Sequence, residues 1–299
     1  GAVGVGSLGG VAAAIAVGGP GALFWILAWA AFGMTVKVAE VSLACYYRCA
    51  DSKGNYYGGP SYYIERGLGE QKGFKGAKIL AWCFGVAFML AAFSGNQVFT
   101  IAEALNTTFH IPMIPFACVY SLFVFYITWK GVPRIARFAS KLVPFMCLLY
   151  FFGGIILIAV NYKALPGVIQ AVFSDAFTGS AAAGGFVGAG VMTVIRTGIA
   201  RSINSNEAGQ GSSPMIHAAA DTPHPVEQGL WGAIEVFVST VLVSTITALA
   251  ILSTGTWTSG LTSVTLTITA FESVFGQVGL YFIGIVAILF GITTTSGWV

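Results

Sequence analysis

The chain has 299 residues, of which 56% are hydrophobic and only 8% are charged, and its formal net charge is +3. Because soluble domains carry roughly a quarter charged residues, this composition excludes an ordinary soluble globular protein, and we expect no nucleic-acid partner. The mean hydropathy of +0.82 is typical of an all-α polytopic membrane protein, in which glycine and aromatic residues are also enriched.

A spanning helix needs about 20 mostly apolar residues, and the chain offers about eight such segments. The predicted segments are 2–17, 21–47, 79–105, 112–129, 143–159, 176–195, 229–252 and 277–299. Lysine and arginine cluster in the connections after the second, fourth and sixth segments. The positive-inside rule therefore predicts a multi-pass protein of the cell membrane, with the loops after even-numbered segments in the cytoplasm.

Glycine breaks the first and the sixth of these segments, in GAVGVGSLGG at 1–10 and AAAGGFVGAG at 181–190. A glycine in a helix interior costs about 1 kcal/mol relative to alanine, and bare backbone survives in a bilayer only where it lines a polar cavity. Close helix packing through small residues is the alternative. Since these positions begin the two halves of a five-plus-five inverted repeat, we expect a transporter binding site between them.

Two further motifs do not carry a site. The residues GVGSLG at 4–9 match GxGxxG, but no strand precedes them and the nearest carboxylate is Glu40, so a dinucleotide site fails. His217, Asp221 and His224 form only a weak zinc pattern in a proline-rich stretch, and we predict no metal site there.

The most polar stretch, residues 201–229, is expected to be a cytoplasmic loop that acts as an inner gate or scaffold. Within it, Glu207 is expected to accept amide hydrogen bonds from glycine-rich backbone or to pair with Arg201. In the second segment, Lys37 and Glu40 lie three residues apart. We expect them to form a buried structural pair, with a proton relay as the alternative.

Several motifs resemble the sodium:alanine (alanine or glycine:cation) symporter family. They are GGPGALFW at 18–25, LVPFM at 142–146, GIARSINSNEAGQGSSPMIHAAADTPHPVEQGL at 198–230 and LFGITTTSGW at 289–298. The resemblance implies a leucine-transporter-type five-plus-five inverted-repeat bundle that takes up a small neutral amino acid, alanine or glycine, with sodium by alternating access. It also implies that residues 1–299 form a single but partial transporter domain, with the first helix cut and the last helices missing.

The same resemblance implies a substrate site at the two breaks. The family reads roughly G-T-G-N at the first break, where this chain has GVGS at 4–7, so one hydroxyl is lost at Val5. Gln97 aligns with a glutamine that the family uses for substrate, although an interhelical structural bond is an equal alternative. Ile101, one turn on, is expected to cap the pocket over a methyl-sized side chain. The expected substrate-binding residues are Val5, Gly6, Ser7, Gln97, Ile101, Gly184, Gly185, Phe186, Gly188 and Thr294.

A sodium site is implied between the first break and the eighth segment. The hydroxyls of Thr293 and Thr294 and the carbonyls of Ala2 and Val3 would supply the neutral oxygen ligands that suit a hard cation. Back-bonding of each threonine to its preceding turn is the alternative. We expect sodium as the co-transported ion and no other cofactor. The expected partners are the amino acid, sodium and the lipid bilayer, and the oligomeric state stays open, a monomer included.

Other functions remain as alternatives. A proton-coupled or uncoupled amino-acid transporter of the same fold would share these features. A channel would need rings of like residues or a filter repeat, and an enzyme would need a nucleophile–base pair or metal ligands within a span. Neither pattern occurs, so we predict that the protein is not an enzyme. The sequence does not decide between alanine and glycine, the stereochemical preference or the coupling stoichiometry.

Overall fold

The computed structural model describes residues 4–92, 96–129, 132–178 and 190–298, and this part of the chain is almost wholly helical. Its α-helices are α1 Val11–Gly18, α2 Ala22–Tyr46, α3 Pro60–Tyr63, α4 Ala77–Ala92, α5 Asn96–Phe109, α6 Met113–Thr128, α7 Val132–Val160, α8 Leu165–Thr178, α9 Val191–Asn206, α10 Ser212–Ala218, α11 Pro225–Val236, α12 Thr245–Ser253, α13 Ser263–Phe275 and α14 Gln277–Trp298. The all-α prediction is confirmed.

Shorter elements complete the described chain. Wide π-helical stretches occur at Gly6–Gly10, Ile64–Gln71 and Phe237–Ser244, and 3₁₀ turns at Tyr162–Ala164 and Thr256–Thr258. A two-stranded antiparallel hairpin, β1 Cys49–Ala50 and β2 Tyr56–Tyr57, follows α2.

Within the described ranges, 5 stretches are long and apolar enough to cross a membrane: Ala22–Tyr46, Ala77–Phe109, Lys141–Val160, Pro225–Ser253 and Gln277–Thr295. Shorter apolar helices occupy Gly6–Gly18, Met113–Tyr126 and Ser263–Phe275. All of them except the last coincide with a predicted segment. The sixth predicted segment lies largely outside the described residues. This pattern fits a polytopic membrane transporter.

Helix α13 was expected to be part of a connection, and that expectation is wrong. The helix was missed because its 13 residues are too few to span a bilayer and carry several threonines. It nevertheless buries Val264, Leu266, Ile268 and Phe271 and packs against α14, α5, α1 and the first π-helical stretch. Helix α13 therefore belongs to the core of the bundle.

The prediction that the polar stretch 201–229 is a loop is also wrong for most of its length. Helix α9 continues to Asn206, α10 follows, and α11 begins at Pro225. Glu207 ends α9 in the left-handed region, with φ of 57°. Several polar side chains are buried because they lie on the helical face that packs against α2 and the first π-helical stretch.

Glycine lets these helices approach closely. A Cβ on Gly198 in α9 would stand 2.8 Å from the Ala22 carbonyl oxygen of α2, and one on Gly232 in α11 would stand 2.9 Å from the Lys37 side chain. Because the side chain of glycine is a single hydrogen atom, α9 and α11 can each pack closely against α2 at these two positions. Helix α2 thereby ties the first part of the chain to the polar stretch.

Two apolar clusters form the core. The larger one lies among α5, α7, α13 and α14 and includes Tyr150, Phe271 and Phe290. The smaller one joins α1, α2 and α12 around Ile15 and Ile251. Large apolar side chains on the outer faces of α4 and α6 are exposed, as expected for helices that face lipid.

Candidate functional site

The first helix break lies at the centre of the bundle. Residues Gly6–Gly10 form a wide π-helical turn before α1, and the Ser7 amide donates to the Gly4 carbonyl at 3.0 Å. A Cβ on Gly6 would stand 2.9 Å from the Asn204 carbonyl oxygen and 3.2 Å from the Ser205 Cα. The glycine-rich backbone of the first break therefore lies directly against the C-terminal turn of α9.

A break in the helical structure at 207–211 separates α9 from α10, whereas the expected second break at 181–190 lies almost wholly outside the described residues. Lys37 and Glu40 of α2 hold the start of the break at 207–211. The Lys37 ammonium donates to the Asn206 carbonyl at 3.0 Å, and the Glu40 carboxylate accepts from the Gly209 amide at 3.0 Å. The two side chains are 3.7 Å apart and are almost completely buried. The expected buried pair is therefore formed, and its contacts position the backbone of this break.

Glu207 lies at the first residue of this break and is 3% exposed. Its carboxylate accepts a hydrogen bond from the Ser212 hydroxyl at 2.8 Å. The bond closes the turn between α9 and α10, although the expected donors were backbone amides or Arg201. The hydrogen bond from Ser212 fixes the orientation of the Glu207 carboxylate. Glu207 also lines the cavity described next.

A cavity of about 360 Å³ lies between the first break and the C-terminal part of α9. The first break and α1 supply backbone and small side chains, α5 and the start of α13 supply amide and hydroxyl groups, and α9 with its cap supplies a charged and polar stripe. The lining residues are Val5, Gly6, Gly9, Gly10, Ala13, Gln97, Phe99, Thr100, Arg201, Asn204, Glu207, Thr262, Ser263 and Thr294.

The structure brings four of the expected substrate-binding residues to this one cavity: Val5, Gly6, Gln97 and Thr294. Two others, Ser7 and Ile101, are fully buried and do not line it. Six further expected site residues lie outside the described residues: the substrate-binding residues Gly184, Gly185, Phe186 and Gly188 and the sodium ligands Ala2 and Val3.

The family model of the sodium:alanine symporters matches residues 1–299. The chain belongs to this family. Its members are transporters rather than enzymes, so family membership confirms the prediction that the protein is not an enzyme. It also supports assignment as a membrane-integral protein, together with the long apolar helices.

Three relatives illustrate the range of this symporter family. The chain is 40% identical to an uncharacterized transporter of Haemophilus influenzae over 99% of the chain and 65% of the relative. It is 41% identical to the putative sodium/proton-dependent alanine carrier protein YrbD of Bacillus subtilis, over 85% of the chain and 51% of the relative. It is 36% identical to the sodium/alanine symporter AgcS of Methanococcus maripaludis, over 99% and 65%. The chain thus spans less than two thirds of these relatives.

Ser7 stands where the symporter family resemblance places an asparagine. Its hydroxyl lies 2.9 Å from that of Ser205 and donates to the Ser239 carbonyl at 3.3 Å. Ser205 in turn lies 3.1 Å from the Ser244 hydroxyl. This buried chain of hydroxyls ties the first break to α9 and to the π-helical stretch Phe237–Ser244. Ser7 thus lies behind the cavity wall, and its role in substrate binding stays a prediction.

Ile101 packs in the larger core, where its side chain fills the space above Gly291 of α14. Its neighbour Thr100 lines the cavity with Gln97, three residues before it on α5. Because residues three apart share one helix face, the amide and the hydroxyl point to the same space. Among the described residues of α5, the cavity wall therefore contains Gln97, Phe99 and Thr100 and not Ile101, and a role of Ile101 above the substrate side chain stays a prediction.

Both threonines of the expected sodium site bond back to their own helix. The Thr293 and Thr294 hydroxyls donate to the Phe290 carbonyl at 2.9 and 2.8 Å. A donating hydroxyl still offers its oxygen lone pairs. The Thr294 hydroxyl contacts Gly4 at the start of the first break, whereas Thr293 lies beside the Met146 sulfur. Sodium binding by this pair stays a prediction.

The polar stripe of α9 was missed by the sequence analysis. Arg201, Asn204 and Glu207 recur every three residues, and all three line the cavity. The spacing of Arg201 and Asn204 was a readable signal, because residues three apart are neighbours on the surface of a helix. It went unused because the stretch was interpreted as a loop outside the membrane.

The two histidines of the polar stretch have structural contacts. The His217 ring lies 3.1 Å from the Glu235 carboxylate and 2.7 Å from the Gln228 side-chain nitrogen. The His224 ring nitrogen accepts from the Val226 amide and caps α11. No group of three or more potential metal ligands occurs within the searched part of the chain.

Proposed function

We propose that the protein is a secondary transporter, which carries a small neutral amino acid such as alanine or glycine together with sodium by alternating access. The observation that carries this proposal is the cavity in which the broken first helix meets the polar end of α9, Gln97 and Thr294. Broken helices facing a central cavity are the usual binding sites of transporters. Under this proposal the chain contributes to a five-plus-five inverted-repeat bundle as one domain, 1–299.

Arg201 is suited to bind the substrate carboxylate. It lines the cavity, and its side chain has no ion-pair or hydrogen-bond partner among the residues that the structure describes. A guanidinium recognises a carboxylate through two parallel hydrogen bonds. Because Glu207 supplies one opposite charge to the same cavity, the balance of charge favours a zwitterion with a neutral side chain.

Sodium is the proposed coupling ion, with Thr293, Thr294 and the carbonyls of Ala2 and Val3 as its ligands. Support comes from the family description and from the printed name of AgcS. Proton coupling is the second candidate, because the name of YrbD includes protons.

The test is uptake of labelled alanine and glycine by the full-length protein that contains residues 1–299, in liposomes, under an inward sodium gradient, an inward proton gradient or neither. Uptake only with the sodium gradient supports the proposal. Equal uptake in all three conditions argues for an uncoupled carrier, and uptake only with the proton gradient replaces sodium by protons. Absence of uptake of every amino acid would overturn the function.

The Arg201→Gln variant should lose at least tenfold in apparent affinity, because the substrate carboxylate would then lack its charged partner. Arg196→Gln is the matched control: it removes the same charge from α9 at a position that does not line the cavity. Equal losses in both variants would argue against a direct role of Arg201.

The proposed location is the cell membrane, with the connections after even-numbered segments in the cytoplasm. Lys53 lies in the exposed hairpin turn after α2. A Lys53→Cys variant should therefore react with an impermeant thiol reagent from the cytoplasmic side alone, in a background where the native cysteines are replaced by serine. Reaction from outside would reverse the topology.

A further inference from the structure

Asn204 lies in the middle of the polar stripe of α9, one turn after Arg201 and one turn before Glu207. Its side chain is exposed to the cavity and has no hydrogen-bond partner among the described residues. Its backbone carbonyl packs against Gly6, where an added Cβ would approach to 2.9 Å. The position of Asn204 is therefore set by the contact between α9 and the first break, while its amide remains available to a ligand.

The wall supplied by α5 carries a second amide. Gln97 lines the same cavity and likewise has no hydrogen-bond partner within the described ranges. Ile101 does not contribute to this wall, since it is 0% exposed and packs in the core, and Phe99 is the apolar side chain that α5 supplies there. Gln97 on α5 and Asn204 on α9 thus both line the cavity, and neither carboxamide has a hydrogen-bond partner among the described residues.

Amides of this kind discriminate between ligands. A carboxamide offers both donors and an acceptor, and leaving it unpaired against an apolar ligand costs the free energy of its desolvation. A site built to hydrogen-bond a substrate group therefore rejects the analogue that lacks the group, whereas an apolar pocket excludes a hydroxyl only weakly. A polar substrate side chain would form hydrogen bonds with the carboxamides of Asn204 and Gln97. An apolar substrate side chain would leave both carboxamides without a hydrogen-bond partner.

We propose that Asn204 selects the substrate side chain, and that the preferred substrates are neutral α-amino acids carrying a hydroxyl or a carboxamide. This inference rests on the proposed transport function and ranks polar side chains above that of alanine within its class of neutral amino acids. The volume of about 360 Å³ accommodates such substrates, because it falls within the range of roughly 300–1,000 Å³ usual for small-molecule sites. The single positive and negative charges of Arg201 and Glu207 match the α-carboxylate and α-ammonium groups.

The test uses pairs of amino acids that share a shape and differ in polarity: threonine against valine, and asparagine against leucine. Each of the four amino acids is added as an unlabelled competitor of sodium-driven uptake of labelled serine by the full-length protein that contains residues 1–299, in liposomes. Uptake of labelled alanine is measured in parallel. We expect the polar member of each pair to compete at least tenfold better than the apolar one. Labelled serine should enter faster than alanine at equal low concentrations.

The Asn204→Leu variant should keep sodium-driven uptake and lose or reverse the preference within each pair. Thr193→Val is the matched control, a polar-to-apolar change on α9 at a position that does not line the cavity, and it should retain the preference. Asn204→Gln keeps the carboxamide and should preserve the sign of the preference.

The outcomes separate this inference from the transport function. Uptake of alanine with no preference for the polar members would overturn the inference and leave the transporter intact. A preference that survives Asn204→Leu would overturn the role of Asn204. Absence of uptake of every amino acid would overturn the transport function and the inference with it.

Discussion

Glu103 and Ser263 join α5 to the start of α13. The Glu103 carboxylate accepts from the Ser263 hydroxyl at 2.7 Å and from the Thr265 hydroxyl at 2.8 Å. Ser263 has a φ of 59°, a left-handed conformation that is uncommon for a residue other than glycine. Since Ser263 also lines the cavity, the carboxylate holds a strained piece of the cavity wall in position.

The Glu103→Ala change is therefore expected to loosen this wall and lower the melting temperature. Hydrogen bonds to a charged acceptor contribute about 1.5–3 kcal/mol each, and partial exposure of Glu103 places these near the lower value. The apparent affinity for substrate should fall with the loss of stability. Thermal unfolding in detergent and initial uptake rates measure the two effects.

Glu272→Gln provides the control for this prediction. Glu272 lies on α13 as well, but it is exposed and does not line the cavity. If Glu103→Ala and Glu272→Gln change the melting temperature and the apparent affinity by equal amounts, Glu103 has no particular role in holding Ser263.

The contact between the first break and α9 gives a second prediction. Gly6→Ala would place a methyl group 2.9 Å from the Asn204 carbonyl oxygen, so the first break or α9 must move. Overpacking of this kind costs about 1–3 kcal/mol. Gly10→Ala, in the same π-helical stretch, meets no atom within 4 Å and should be tolerated. Thermal unfolding of the two variants compares them directly, and equal melting temperatures would argue against a close contact at Gly6.

The pair of Lys37 and Glu40 gives a third prediction. Removing one member leaves a buried charge without its partner, which costs about 3–5 kcal/mol. Lys37→Met and Glu40→Gln should each lower stability strongly, whereas the double variant should lose less than the sum of the two. Thermal unfolding of the unchanged protein, the two single variants and the double variant completes this double-mutant cycle. Strict additivity would mean that the contacts to Asn206 and Gly209 outweigh the pairing.

The Thr294 hydroxyl gives a fourth prediction, which addresses the cation. If this oxygen is a sodium ligand, Thr294→Ala should raise the sodium concentration that gives half-maximal uptake by about tenfold, a loss near 1.4 kcal/mol. Thr294→Ser keeps the hydroxyl and should restore the sodium dependence. An unchanged sodium dependence in Thr294→Ala would exclude its side chain from the ion site.

Much of the fold could be predicted from local sequence. Runs of apolar residues identified the long helices, and glycines identified the broken first helix. The resemblance to the symporter family predicted one site that includes Gly6, Gln97 and Thr294. All three line the same cavity, and their roles in binding stay predictions. Helix α13 escaped because its 13 residues are fewer than a bilayer requires, and only its burial against α5 and α14 marks it as part of the core.

The polar stretch could not be interpreted from its composition. Arg201 and Asn204 look like loop residues in a hydropathy analysis, but the helix turns them towards a cavity. Periodicity defines a helix face without specifying what that face will meet. The contact that decides the question joins Gly6 to Asn204, residues that lie far apart in the chain.

By itself, the sequence determined that this protein is an α-helical membrane protein with a broken first helix and a family relationship along its whole length. Composition and local spacing suffice for these properties, because each depends on residues that are near neighbours in the chain. Only the tertiary structure decided that α9 and the first break line the same cavity, and that Asn204 lines this cavity whereas Ile101 does not. Those outcomes depend on how helices pack, which is set by contacts between distant residues.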